Sequence, residues 1–193
     1  MKRYSCFLLL VLVISSCEIS VKSKPNEPEV KGTKSAKDNK QEKTDATTNS
    51  DADILNNIEL FQSGDLKVAQ AYLTFNDGNL VPKDNKVPLG ETVNLTLAIE
   101  GGWEVRDGQS SIDATEIIST DKGEIILNAP NLFKSKPTLD EVDAKRVFLK
   151  ATITKTRPDI QYFMINYRVW DKWSDAEVRG SYKLYVADEK QTE

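Results

Sequence analysis

The carboxylates of this chain have the greatest capacity for chemistry, because the sequence contains no histidine. Its absence removes the most common general base, the Ser-His-Asp triad and most zinc sites. An enzyme would then need paired carboxylates, as glycosidases do. The acidic residues that cluster are Asp107 and Asp113; Asp140, Glu141 and Asp143; and Asp171 and Asp175. Pairs this close in sequence are usually solvated loops or helix caps, so a carboxylate-based hydrolase is the least favoured function.

Calcium binding is a second function that the same carboxylates can serve. The ion takes six to eight oxygen ligands, and loops between the strands of a β-sandwich supply such ligands readily. No EF-hand spacing is present. The candidate ligands are therefore loop carboxylates, namely Asp107, Asp113, Asp171 and Asp175. We expect a protein without a cofactor. Calcium is the one metal whose binding remains compatible with the sequence.

Three aromatic residues near the C-terminus are candidates for binding a ligand. Alternation along a strand at Phe163–Val169 places Tyr162 and Trp170 on its outward side, and Trp173 falls at the tip of the following hairpin. Flat aromatic rings on a sandwich surface can stack on sugar rings. Such residues also cap a core or stabilise a sheet across strands. The structural role is favoured for Trp170 and Trp173, and more strongly for Trp103.

The first sixteen residues have the pattern of a secretory signal. Lys2 and Arg3 precede an apolar run at 7–14, and two serines follow that run. The apolar run is too short to cross a bilayer as a helix. The residues Ile14-Ser15-Ser16-Cys17 resemble the bacterial lipobox. This resemblance implies cleavage before Cys17, a diacylglycerol on its thiol and an acylated amino terminus, which together anchor a protein to the bilayer.

The segment that follows Cys17 is predicted to be a spacer. From Glu18 to residue 52 it is rich in Lys, Glu, Asp, Asn, Thr, Ser and Pro, and it is nearly free of large apolar residues after Val30. A flexible coil of this length spans roughly 30–35 Å. Because Glu18 is not the Asp that signals inner-membrane retention in enteric bacteria, the outer membrane is the favoured location. The net charge of −4 argues against nucleic acid as a partner.

Residues 53–189 are predicted to form one all-β domain, followed by a tail at 190–193. Apolar residues alternate with polar ones at Val93–Ile99, Val147–Ile153, Phe163–Val169 and Val178–Val186, which is the period of a strand with one buried face. Further strands are expected at Ile58–Gln62, Val68–Phe75, Ile112–Ser119 and Glu124–Asn128. The only helical segment is Thr138–Lys145, with Asp140 or Thr138 as its cap. Seven or eight strands with frequent turns indicate an antiparallel two-sheet, Ig-like sandwich.

Several short motifs add a resemblance. Four segments are similar to parts of uncharacterised Ig-like lipoproteins of Bacteroidota-type bacteria. They are Pro88-Leu89-Gly90-Glu91-Thr92-Val93, Asp121-Lys122-Gly123, Asn131-Leu132-Phe133 and Tyr167-Arg168-Val169-Trp170-Asp171-Lys172. The resemblance implies a sandwich fold and an envelope location, and it carries no catalytic residue.

Three functions remain. The favoured one is a non-enzymatic, lipid-anchored envelope protein whose sandwich binds another envelope protein or an assembly. The alternative is a carbohydrate-binding surface module that uses Tyr162, Trp170 and Trp173, with or without calcium. A carboxylate-based hydrolase is third.

Overall fold

The structure is a computed structural model that describes residues 51–187. The predicted signal peptide, Cys17, the spacer and the C-terminal tail lie outside the described residues. Within them the chain forms thirteen strands and one helix: β1 (Asp53–Ile54), β2 (Glu59–Ser63), β3 (Lys67–Phe75), β4 (Lys86–Pro88), β5 (Thr92–Gly101), β6 (Val105–Arg106), β7 (Gln109–Ser110), β8 (Ile112–Thr120), β9 (Ile125–Ala129), β10 (Leu139–Asp140), α1 (Glu141–Ala144), β11 (Arg146–Thr152), β12 (Phe163–Asp171) and β13 (Glu177–Ala187).

The strands assemble into two main sheets. One has the order β1-β3-β5-β11, and the other has the order β2-β13-β12-β8-β9, with β4 beside the second half of β13. Strands β10, β7 and β6 form a small third sheet. The all-β sandwich predicted from the alternation of apolar residues is confirmed. Two pairings, β1 with β3 and β4 with β13, are parallel rather than antiparallel.

The core lies between the two main sheets and is built by the alternating residues. Val93, Leu95 and Leu97 of β5 are fully buried, as are Ile165 and Val169 of β12. Each long strand therefore contributes one apolar face to the interior. On β5 the opposite face is not solvated in its centre, because Asn94 and Thr96 are buried as well.

The helix is shorter than the segment predicted for it. The segment Thr138–Lys145 begins as a two-residue strand, and only Glu141–Ala144 is helical. The Oδ1 atom of Asp140 accepts a hydrogen bond from the Val142 N–H at 3.0 Å, as expected of an N-cap. Leu139 pairs with Ser110 instead of joining the helix.

Two buried asparagines hold the β1–β2 turn, the loop before β4 and strand β13 together. Asn85 Nδ2 donates to the backbone oxygens of Asn56 (2.7 Å) and Lys183 (2.9 Å), and Asn56 Nδ2 donates to Asn85 Oδ1 (3.0 Å). Asn56 Oδ1 accepts from the Leu73 N–H. Both residues have positive φ, near 58° and 55°, which asparagine tolerates better than most residues. We call these two residues the asparagine clamp.

One carboxylic acid lies inside the core. Glu116 of β8 is 2% exposed, and within the described residues neither of its carboxyl oxygens has a hydrogen-bond partner. It pairs across the sheet with Tyr167, and its charge acts on the buried Tyr182 hydroxyl. Burial raises the pKa of Glu116 to about 7, because a charge in an apolar interior loses its hydration.

In residues 51–187 no helix has the length and apolar character needed to cross a membrane.

Candidate functional site

The aromatic candidates do not form one platform. Tyr162 immediately precedes β12, whereas Trp170 lies near the other end of that strand. A strand rises about 3.3 Å per residue, so the two rings stand on the order of 25 Å apart. Trp173 lies beyond β12 in the turn to β13, with its N–H bonded to Asp171 Oδ1 at 2.8 Å. A single sugar ring cannot contact Tyr162 and the two tryptophans together.

Each of these aromatic rings also carries a cation on its face. The Arg106 guanidinium lies 4.7 Å from the Trp173 ring centre, that of Arg168 lies 4.8 Å from the Trp170 ring centre, and Lys183 Nζ lies 4.3 Å from the Tyr162 ring centre. Arg168 Nε–H donates a hydrogen bond to Glu177 Oε2 at 2.8 Å, which holds the guanidinium in place. A stacking sugar would have to displace these cations, so the geometry gives the carbohydrate hypothesis no support.

Trp103 has the structural role favoured from the sequence. It is buried, and its indole Nε1–H donates to the Ala144 carbonyl at 3.0 Å. The residue thus packs in the core while its polar atom links the connection between β5 and β6 to the last residue of α1.

The buried acidic candidates organise loops. Asp113 Oδ1 accepts from the backbone N–H groups of Ala114 (2.8 Å) and Phe133 (3.1 Å). Asp171 accepts from Trp173 and, at 2.6 Å, from the Glu104 N–H. Asp113 pairs with Trp170, and Asp171 pairs with Ile112. Since neighbouring residues of a strand point to opposite faces, these two carboxylates lie on opposite sides of the sheet.

The remaining acidic candidates are dispersed. Asp107, with φ near 52°, is exposed in the β6–β7 turn, and Asp175 is exposed in the β12–β13 turn. Asp140 caps α1, and Glu141 lies 3.8 Å from Lys145. Across residues 51–187 no three acidic side chains are grouped closely enough to hold a metal ion. The candidate calcium ligands are therefore not brought together.

The most unusual surface of the domain is strand β9. Ile125, Ile126 and Leu127 are 62%, 50% and 42% exposed. The strand is the last one of its sheet, and in the described part of the chain only β8 pairs with it. Its outer side therefore presents unpaired backbone N–H and C=O groups beside three large aliphatic side chains. We call Ile125–Ala129 and this open side the β9 edge.

The other strands at sheet borders are protected in ways that β9 is not. Strand β1 has two residues and β4 has three. Strand β2, at the opposite border of the same sheet, also has five residues and exposes Phe61, but it carries the charged Glu59. Strand β11 carries Arg146 and Lys150 among its exposed residues. Short length and charge are the usual devices that prevent an edge from pairing with another chain. Strand β9 has five residues and no charge.

The local sequence explains how β9 forms and where it ends. Gly123, with φ near 82°, closes the turn from β8, where the Thr120 Oγ1 atom accepts from the Glu124 N–H at 3.2 Å. Glu124 is paired with Arg157 at 2.7 Å. Pro130, which has no N–H to donate, follows the last residue of the strand. Charge and proline thus flank the apolar run without entering it.

This strand was predicted from the sequence, but the exposure of its aliphatic side chains was not. The signal was present in Ile125-Ile126-Leu127, which lack the polar alternation of a strand with one solvated face. Such a run indicates a strand buried on both faces, or one that another chain covers.

Comparisons with known proteins identify no family for this chain. No family model and no curated protein matches the sequence. Among solved structures, the C-terminal domain of wzt has a TM-score of 0.40 and 11% identity, covering 69% of this chain and 80% of that one. Superoxide reductase (neelaredoxin) from Ignicoccus hospitalis has a TM-score of 0.33 and 7% identity, covering 60% and 80%. TM-scores this low carry no argument about function.

Proposed function

We propose that this chain is a non-enzymatic envelope lipoprotein whose sandwich domain binds a partner protein by adding one of the partner's strands to the β9 edge. The observation that carries the proposal is the exposure of Ile125, Ile126 and Leu127 along an unpaired edge. The lipobox-like residues before Cys17 support the anchored location, with the outer membrane favoured.

The chemistry of the β9 edge favours a protein over a glycan. Most of its polar groups are backbone N–H and C=O groups at the spacing of a strand, and these match an extended peptide. Four of its five side chains are aliphatic and the fifth is Asn128, so the edge offers no flat ring on which a sugar could stack. Ile126 is already half-buried, so covering it contributes about half of the roughly 1.5–3 kcal/mol that full burial of an isoleucine side chain contributes.

A lysine in the centre of β9 is expected to prevent partner binding. The variant Ile126→Lys places a charge where the partner strand must pack, as natural edge strands do to block pairing. The lost burial alone corresponds to roughly 4- to 12-fold weaker binding, and the cost of burying the lysine charge adds to it. The measurement is photo-cross-linking in intact cells from a probe at Ile125, followed by titration of the captured partner against purified full-length chain.

The matched control is Leu80→Lys, because Leu80 is 57% exposed and lies outside β9. Both variants should keep the melting temperature of the parent chain. Equal affinity of the partner for Ile126→Lys and for the parent would refute binding at the β9 edge. Equal weakening by Leu80→Lys would show a nonspecific effect of added charge.

The anchor is tested at Cys17. Replacement by alanine removes the thiol that the lipobox resemblance makes the lipid acceptor, so Cys17→Ala is expected to leave the membrane fraction and to lose incorporation of a labelled fatty acid. Cys6→Ala, inside the predicted signal peptide, is the control and should remain membrane-bound. Membrane retention of Cys17→Ala together with full labelling would contradict the lipoprotein assignment.

A further inference from the structure

A cleft lined in part by the 130–139 segment, which follows β9 in the chain, has features of a ligand site. It has a volume of about 740 Å³ and lies where α1 and the first residues of β11 meet the segment that contains Phe133 and Leu139. This volume falls within the roughly 300–1,000 Å³ that is usual for small-molecule sites. None of the residues that line it belongs to β9.

The walls of the cleft are largely apolar. Phe133, Leu139, Val142 and Phe148 line it, together with buried residues such as Ile112 and Val147. Val142 is 73% exposed and Phe148 is 49% exposed. Two large apolar side chains are thus presented to solvent around one concavity, which suits an aliphatic ligand.

The rim of the cleft is basic although the chain as a whole has a net charge of −4. Lys136, Lys145 and Arg146 line the cleft, and Asp143 is the acidic residue among the lining residues. Lys145 lies 3.8 Å from Glu141. Within residues 51–187, no carboxylate lies within ion-pair distance of Lys136 or Arg146. Two cations are therefore free to meet an anion from outside.

We propose that this cleft binds an aliphatic chain that ends in an anionic group, a carboxylate or a phosphate. The chain would pack against Phe133, Val142 and Phe148, and the anion would lie between Lys136 and Arg146. A guanidinium binds either anion through two parallel N–H groups, which makes Arg146 the stronger of the two contacts. The proposal is independent of partner binding at the β9 edge.

The test is a binding titration on the unlipidated chain, residues 18–193, which contains all of residues 51–187 and needs no detergent. The probes are dodecanoate, dodecyl phosphate, dodecanol and inorganic phosphate, each below its micelle concentration. At least one of the two anionic amphiphiles should bind about tenfold or more tightly than dodecanol, because one charged contact contributes at least about 1.4 kcal/mol. Inorganic phosphate alone should not bind. Binding of dodecanoate alone would indicate a free fatty acid, and binding of dodecyl phosphate would indicate a phosphorylated headgroup.

Variants separate the two parts of the site. The double variant Lys136→Gln, Arg146→Gln should bind the anionic probe no more tightly than dodecanol, and Val142→Asp should weaken every amphiphile about tenfold or more. Lys150→Gln, which removes an exposed cation of the same strand outside the cleft, should bind like the parent. Equal binding of anionic and neutral amphiphiles, or unchanged binding by the double variant, would overturn the proposal.

Discussion

Replacing Glu116 with glutamine is expected to remove most of the dependence of the domain's stability on pH between pH 5 and pH 8. In the folded chain the pKa of Glu116 is raised from 4.5 to about 7 by burial. A carboxyl group with a raised folded-state pKa gives its full stability below pH 4.5, and that stability is lost as the pH rises through 7. Each pKa unit corresponds to about 1.4 kcal/mol, so the free energy of unfolding should fall by about 3 kcal/mol.

The measurement is urea unfolding of the parent chain and of Glu116→Gln at pH 5, 6, 7 and 8. The chain has no histidine, the residue that ordinarily titrates in this interval, so the background is small. The two stability curves should diverge as the pH rises. Parallel curves would show that Glu116 is already ionised in the folded chain or reaches solvent.

The variant Asn85→Ala is expected to lower the free energy of unfolding by about 3–5 kcal/mol. It leaves the buried carbonyl of Asn56 and the half-buried carbonyl of Lys183 without their donor, at about 1–3 kcal/mol each. It also places alanine at a φ near 55°, which costs roughly 1 kcal/mol more. The melting temperature should fall by roughly 10 °C or more.

Asn57→Ala is the matched control for the backbone strain. Asn57 also has positive φ, near 50°, but it is exposed and makes one long contact of 3.5 Å to the Lys83 carbonyl. Its replacement should cost about 1 kcal/mol, which is the strain alone. If the two alanine variants lost equal stability, the hydrogen bonds of the asparagine clamp would contribute nothing beyond strain.

The long strands could be predicted because each carries its own signal. Alternation at Val93–Ile99 and at Phe163–Val169 marks a buried face without knowledge of any partner, and both segments lie within observed strands, β5 and β12. Local chemistry likewise offered Asp140 and Thr138 as caps, and the structure has Asp140 in that position. Strand β4 has only three residues, and it is a strand because it pairs with the end of β13. No pattern in its own sequence predicts it.

The candidate site was less predictable because its properties depend on sheet order. Alternation within β12 correctly places Trp170 outward, but the guanidinium over its ring comes from Arg168, whose position is set by Glu177 of β13. The sequence of β8 predicts a strand, but the burial of Glu116 depends on the strands and side chains that pack around it. Ile125–Leu127 lie at an unpaired edge because β9 is the last of five strands in its sheet. The order of the strands cannot be predicted from the sequence of any one of them.

The most direct test of partner binding at the β9 edge is amide hydrogen exchange of β9 in chain isolated with its captured partner and in purified chain. The N–H groups of an unpaired edge exchange readily, and a strand added by a partner protects them. We predict slower exchange across Ile125–Asn128 in the complex, no change around Leu80, and no protection in Ile126→Lys. Equal exchange of β9 in bound and free chain would contradict the account.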